Sequence, residues 1–279
     1  MRNFFYKIIK DPISLVCIFI ILFIIILGLF APYFAPHDPL LPNLNEKFAP
    51  WSTNYPLGSD HLGRCIASRL IFAIRTTFFL AIFAMFITIL LGLVCGLLAS
   101  FFKRLETPIL RLCDLMLSFP SELMMLAIVG ILGAGIENII IANIISKVPW
   151  HTRMIYTFCL KYKNENFILY SKVLGTPSYL ILKNHLLPLI LCDIALLATL
   201  NIGGVILSIS ALSFLGLGIQ APTPEWGMML NEAKNVMSIA PLQMVAPGLT
   251  ILIIVVIFNF LGDSIRDTLD PKFYKKERV

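Results

Sequence analysis

The chain has 279 residues, 58% of them hydrophobic and only 14% charged, and its mean hydropathy is +0.87. A soluble domain carries about 25% charged residues. This deficit, together with runs of about twenty apolar residues, excludes an ordinary soluble domain and points to an all-α polytopic membrane protein. The formal net charge of +6 and pI near 9.0 would suggest nucleic acid as a partner of a soluble protein. Here the basic residues cluster by loop, as the positive-inside rule requires, and no nucleic-acid partner is expected.

Met1 to Lys10 is short and basic, with Arg2, Lys7 and Lys10. Ile13 to Phe30 is a nearly unbroken apolar run. It is too long for a signal-peptide core and no small-residue cleavage site follows, so it reads as an uncleaved first span with the N-terminus inside. Ala31 to Gly63 is polar and proline-rich, which forbids a crossing helix and predicts an extracytoplasmic loop. Leu62 to Ile74 reads as an interfacial amphipathic helix with Arg64, Ser68, Arg69 and Arg75 on its polar side. Thr77 to Ser100 is the second span; Gly92 and Gly96 form a small-xxx-small pair that permits close helix approach.

Pro108 to Leu132 reads as a third span bent at Pro120. Asp114 and Glu122 lie inside it and should face the bundle interior or water. Arg111, three residues from Asp114, offers a same-face ion pair. Gly133-Ala134-Gly135 is a short outer turn. Ile136 to about Leu160 is the fourth span, with Lys147 near its middle and Trp150, His151 and Arg153 beyond. Lys147 needs an interior partner or a wet cavity, and Asp193 is one possibility.

Lys161 to Pro188 is a stretch of mixed polarity in an otherwise apolar chain. Phe167, Ile168, Leu169, Val173 and Leu174 recur at helical spacing, and so do Tyr179, Leu180, Leu182 and Leu186. Gly175 supports a positive φ that closes the first helix, and Pro177 can open the second. The pattern predicts a helix–turn–helix with Lys161, Lys163, Lys172 and Lys183 around it, either a docking surface for a cytoplasmic protein or a plain basic connection. Leu186 to about Phe214 is the fifth span; Gly203-Gly204 marks a helix crossing or local unwinding. Ser213 to Gly227 is a Gly/Pro-rich re-entrant or surface loop with an interfacial Trp226. Pro247 to Leu261 is the sixth span, and Lys272, Lys275, Lys276 and Arg278 end the chain. The basic segments all fall on one side, which places both termini in the cytoplasm.

Several motifs carry a resemblance. Gly175, followed by Asn184-His185-Leu186-Leu187-Pro188, resembles the EAA loop of bacterial binding-protein-dependent ABC importers. Leu169-Tyr170-Ser171 stands where that family has Glu-Ala-Ala, and Glu165 or Asn166 is then the substitute for the acidic contact. Pro56-Leu57-Gly58-Ser59-Asp60 with Leu62-Gly63-Arg64, then Arg111…Asp114…Phe119-Pro120, and Trp150…Arg153 are similar to segments of dipeptide, oligopeptide and nickel permeases. So are Ser213-Phe214-Leu215-Gly216-Leu217-Gly218 with Ala221-Pro222-Thr223-Pro224-Glu225-Trp226-Gly227, and Asn259 to Pro271.

The resemblance implies the second, C-type permease of such an importer, with the type I (MetI-like) transmembrane fold and six spans. It divides the chain into an N-terminal span and loop (1–72), the permease domain (73–263) and a cytoplasmic tail (264–279). Implied partners are a homologous second permease, two ABC ATPase subunits, an extracytoplasmic solute-binding protein and membrane lipid. Coupling would run through Glu165, Ser171, Lys172, Leu174, Gly175, Lys183, His185 and Pro188. Asp114, Glu122, Lys147 and Asp193 are the intramembrane polar candidates.

No covalent chemistry is expected. The sequence lacks a P-loop, an H-E-x-x-H, a nucleophile elbow and a Ser/His/Asp set in a plausible pocket. No cofactor is predicted. The six cysteines (Cys17, Cys65, Cys95, Cys113, Cys159 and Cys192) are scattered and read as small membrane hydrophobes. Met124-Met125 and Met228-Met229 could offer soft contacts to a metal but read as packing, and metal ligands stay unassigned. Glu225-Trp226-Gly227, Pro241-Leu242-Gln243-Met244 and the Leu169-x-Ser171 variant resemble nickel-import permeases more than dipeptide ones. Nickel, in chelated form, is the expected solute, with di- or oligopeptides as the alternative. An ATP-independent channel or an intramembrane protease is the alternative of another class.

Overall fold

The computed structural model describes residues 11–269. The basic N-terminal residues, Asp270-Pro271 and the basic tail lie outside the described residues. Among the described residues the chain is helical, with one isolated antiparallel bridge between Ser59 and Cys65 and no strand.

Helix α1 (Pro12–Leu29) starts where Asp11 accepts the Ser14 N–H at 2.9 Å and Pro12 supplies a preset φ. Its last carbonyls are capped from elsewhere in the chain: Arg75 donates to Gly28 and Leu29 oxygens, both at 2.7 Å. A short helix α2 (Ala31–Phe34) follows. Helix α3 (Ile66–Ala73) passes through a π-helical turn, Ile74–Phe79, into α4 (Leu80–Phe101), so that 66–101 is one continuous rod.

Next come α5 (Lys103–Leu117) and α6 (Ser121–Leu132), which meet at an 86° bend. The third span is therefore broken rather than merely bent, because Pro120 cannot donate to the preceding turn. Helix α7 (Ile136–Lys163) is unbroken. A helical hairpin follows, built from α8 (Asn166–Val173) and α9 (Ser178–Ile181). It leads through the π turn Leu182–Leu186 into α10 (Leu187–Phe214). Helices α11 (Trp226–Lys234) and α12 (Leu242–Leu269) complete the order.

Four of these rods are long and apolar enough to cross a bilayer: α1, α3–α4, α9–α10 and α12; the bent α5–α6 pair is a fifth. Helix α7, at 28 residues, is about 42 Å long, long enough to cross but less apolar than the others because it carries Lys147, His151 and Arg153.

Glycines set the closest approach. A Cβ on Gly92 would lie 2.9 Å from His151 Cβ, and one on Gly96 3.0 Å from the Thr152 carbonyl oxygen. The small-xxx-small pair is thus the seam along which α4 packs on α7. Gly203-Gly204 does not unwind α10. Gly203 lies against Val255 of α12, so this pair marks a helix crossing.

Two apolar clusters result. The larger joins α3, α4, α6, α7, α10, α11 and α12 around Phe78, Met125, Ile206 and Trp226. The smaller joins the C-terminal end of α7 and the N-terminal end of α10 to the hairpin through Ile155, Ile168, Ile181, Leu186 and Ile190.

Candidate functional site

The 161–188 segment forms the expected helix–turn–helix. Gly175 has φ +75°, and its N–H donates to the Lys172 carbonyl at 3.0 Å while Thr176 N–H donates to Ser171 at 3.1 Å. This is the paired closure of a Schellman motif with glycine in the left-handed position. Pro177 stands one residue earlier than expected, as the N-cap of α9. The second helix is also no separate unit, since it runs on into the fifth span.

Packing splits the hairpin into two sides. Ile168, Ile181 and Leu186 are fully buried against Ile155, Cys159, Ile190 and Ile194. Tyr170, Val173, Leu174 and Tyr179 are 65%, 84%, 65% and 68% exposed. Glu165 is the exposed N-cap of α8, and Lys172 and Lys183 are exposed. Ser171 turns its hydroxyl back to the Phe167 carbonyl at 2.8 Å. The half-buried His185 ring lies 6.4 Å from Phe167, joining the π turn to α8, and Pro188 is half-buried in the first turn of α10. The outcome is an apolar crest edged by cations and seated on a dry base. An exposed crest of this kind marks an interaction surface.

The intramembrane charges pair differently from the sequence expectation. Asp114 binds Arg153 of α7, not Arg111. Lys147 binds Glu122 at 3.0 Å and Ser121 Oγ at 3.1 Å, not Asp193. Asp193 instead accepts from Tyr162 at 3.1 Å and lies 3.7 Å from Lys161. Tyr156 donates to Glu106 at 2.6 Å. Helix α7 thus draws three acidic side chains of the broken third span to itself. The Arg111–Asp114 spacing was available within α5, but Asp114 faces α7.

A second constellation escaped the sequence reading. Arg64 and Arg69 are 2% and 1% exposed, so 62–74 does not present them at a lipid interface. Arg64 binds Asp60 at 2.6 Å and Glu232 at 3.0 Å; Arg69 binds Glu232 at 2.6 Å. These bridges clamp the Gly58–Cys65 turn and α3 onto α11. The arginines alternate with apolar residues as on an amphipathic helix, and only their partner, Glu232 on a distant helix, reveals that they face inward.

Trp226 is likewise fully buried rather than interfacial, its indole N–H donating to the Leu70 carbonyl at 3.3 Å. Glu225, also fully buried, accepts from Thr77 Oγ1 at 3.1 Å, Ser210 Oγ at 3.3 Å and Met228 N–H at 2.7 Å. Burial raises its pKa above the ordinary carboxylate value, against the lowering effect of the Gly227 and Met228 amides.

All six cysteines are free, and no group of three His, Cys, Asp or Glu side chains with metal-ligand geometry occurs among the described residues. Met125 is buried beside Asn143, a packing position.

These observations define a multi-span helical bundle that carries an exposed apolar–basic hairpin between α7 and α10. The pattern of the binding-protein-dependent transport system inner membrane component family matches residues 88–275, and that of the N-terminal TM domain of oligopeptide transport permease C matches residues 1–57. The chain is 40% identical over 274 residues to the metal-staphylopine import system permease protein of Staphylococcus aureus, covering 98% of this chain and 95% of that one. It is 36% identical over 253 residues to the nickel transport system permease protein of Escherichia coli, covering 90% and 91%. It is also 36% identical over 272 residues to the dipeptide transport system permease protein of Alkalihalophilus pseudofirmus, covering 97% and 90%. An inward-facing structure of the MetNI methionine ABC transporter superposes with a TM-score of 0.59 at 17% identity, covering 72% of this chain and 97% of that one, and shows the MetI-like fold. The chain belongs to the binding-protein-dependent transport system inner membrane components, the permeases of ABC importers.

Proposed function

We propose that this chain is one of two permease subunits through which an ATP-driven importer moves a chelated transition metal, nickel among them, by alternating access. The exposed crest of 165–185 carries the reading. It is the site where an ATPase subunit seats, and its buried base makes it one rigid body with the inner ends of α7 and α10. Movement of a docked ATPase pair is then passed to the spans rather than absorbed in a loose loop. Both termini lie in the cytoplasm on this reading, and an extracytoplasmic binding protein delivers the solute on the opposite side. The permease performs no covalent step; binding energy and ATP hydrolysis elsewhere shift it between two packings.

Metal chelate is favoured over peptide by the names of two relatives, a metal-staphylopine and a nickel permease. The dipeptide relative supports the second reading. Uptake of radiolabelled nickel and of a labelled dipeptide, compared in strains with and without the chain, separates them. The expected result is loss of nickel uptake on deletion; loss of peptide uptake alone would reverse the substrate. Co-purification of an ATPase distinguishes the importer from an ATP-independent channel.

A further inference from the structure

The α6–α7 hairpin fixes the depth of one ion pair. It turns at Gly133-Ala134-Gly135, where Asn138 closes the corner on the Leu132 and Gly133 carbonyls, both at 3.0 Å, and Glu137 is exposed. A non-helical turn exposed in this way does not sit in hydrocarbon, so we place the corner at one membrane boundary. Lys147 lies eleven residues below Ile136 on an unbroken helix, so about 17 Å along its axis. Helix α6 has 12 residues and is about 18 Å long, so its far end, with Ser121 and Glu122, reaches the same level. A hydrocarbon core is about 30 Å thick. Both estimates place the Glu122–Lys147 bridge near mid-membrane, at the break in the third span.

The exposure at that depth is the telling quantity. The Glu122 side chain is 67% exposed and that of Lys147 20%, even though they are bonded to each other at 3.0 Å. A charge of this kind does not face hydrocarbon; it faces water or another protein. The bridge has spare capacity toward that space: a paired carboxylate retains acceptor sites and the ammonium a third donor beyond Glu122 and Ser121. Next along α7 comes the half-exposed Asp114–Arg153 pair, about 9 Å farther on. Around the bridge the wall is apolar, with Phe119 and Leu123 both 61% exposed. A small polar station on an apolar wall can hold a charged solute without trapping it.

We infer that Ser121, Glu122 and Lys147 line the water-filled translocation path and contact the solute there. The matching ligand is an amino-carboxylate, whose carboxylate meets Lys147 and whose cationic nitrogen meets Glu122. Metal-binding aminocarboxylate chelators and short peptides both carry this chemistry. The inference rests on the importer reading for its direction of transport but not for the wetness of the site.

The test has two arms, both on the complete complex in its native membrane. In the first, Glu122→Cys is exposed to a negatively charged, water-only methanethiosulfonate and the adduct is read by mass spectrometry. Modification at least tenfold faster than that of Phe19→Cys, on the exposed apolar face of α1, is expected. In the second, uptake is followed with radiolabelled nickel supplied in excess histidine and with a labelled dipeptide. Glu122→Gln and Lys147→Gln should each cut uptake at least tenfold with normal amounts of complex, Glu122→Asp should retain most of it, and the swap Glu122→Lys with Lys147→Glu should stay impaired. A swap that restores wild-type uptake would make the bridge purely structural and overturn the inference. So would a position 122 as unreactive as position 19. Labelling at 122 in a chain that needs no ATPase would sink the importer reading and leave the wet station standing.

Discussion

Gly175 gives the sharpest test of the knuckle. Its φ of +75° is unfavourable for any L side chain, yet a Cβ there would meet no heavy atom within 4 Å. The cost of Gly175→Ala is therefore backbone strain alone, about 1–2 kcal/mol for a left-handed residue. That corresponds to a factor of about 5–30 in the population of the closed turn. Gly175→Asn should cost less, because asparagine tolerates this region. Gly175→Pro should cost most: its ring fixes φ near −65° and it removes the N–H that donates to Lys172. Uptake, normalised to protein in the membrane, should fall in the order Gly, Asn, Ala, Pro, with Pro inactive but inserted. Wild-type uptake by the proline variant, or an alanine variant as dead as proline, would show that the left-handed turn does not transmit the movement.

Other perturbations probe the scaffold. Glu232→Ala leaves two buried guanidinium groups sharing Asp60, and breaking such a network costs about 3–5 kcal/mol; the melting temperature in detergent should drop clearly, and an unchanged value would contradict the buried clamp. Gly92→Val forces a Cβ into the 2.9 Å approach to His151 and should cost about 1–3 kcal/mol by overpacking, whereas Gly204→Ala, with open space around it, should melt close to wild type. Glu225 has a raised pKa, so its neutral form is the one the fold favours. Its stabilising share is complete below the ordinary carboxylate pKa and is lost as pH rises through the folded value. Glu225→Gln should therefore flatten the loss of stability on raising the pH, and melting curves with the same pH slope as wild type would refute the upward shift.

What could be read from sequence was what local chemistry decides. The Gly175-Thr176-Pro177 turn is legible because positive φ and a missing N–H each restrict the backbone within a residue or two. The glycine seam of α4 is legible for the same reason, since only side-chain size matters there. Partner choice was not legible. Arg111 is the sequence neighbour of Asp114, and the side chain that takes it, Arg153, is 39 residues away on α7. Arg64 and Arg69 have the spacing of a solvated helix face, and only Glu232 on α11 turns them inward. The proline at 120 announced a bend, but its 86° magnitude follows from how α7 holds α5 and α6 separately. Trp226 looked interfacial because tryptophan often is; the Leu70 carbonyl beneath it decided otherwise.

The central claim is that a nucleotide-hydrolysing subunit grips the exposed crest of the hairpin. A photo-crosslinking amino acid at Val173, the most exposed apolar side chain of that crest, tests it directly in intact membranes. The account predicts an adduct with an ATPase subunit, formed from the cytoplasmic side and changing in yield between ATP- and ADP-bound states. An adduct only with an extracytoplasmic protein, or none with any ATPase when the complex is assembled and transporting, would contradict it.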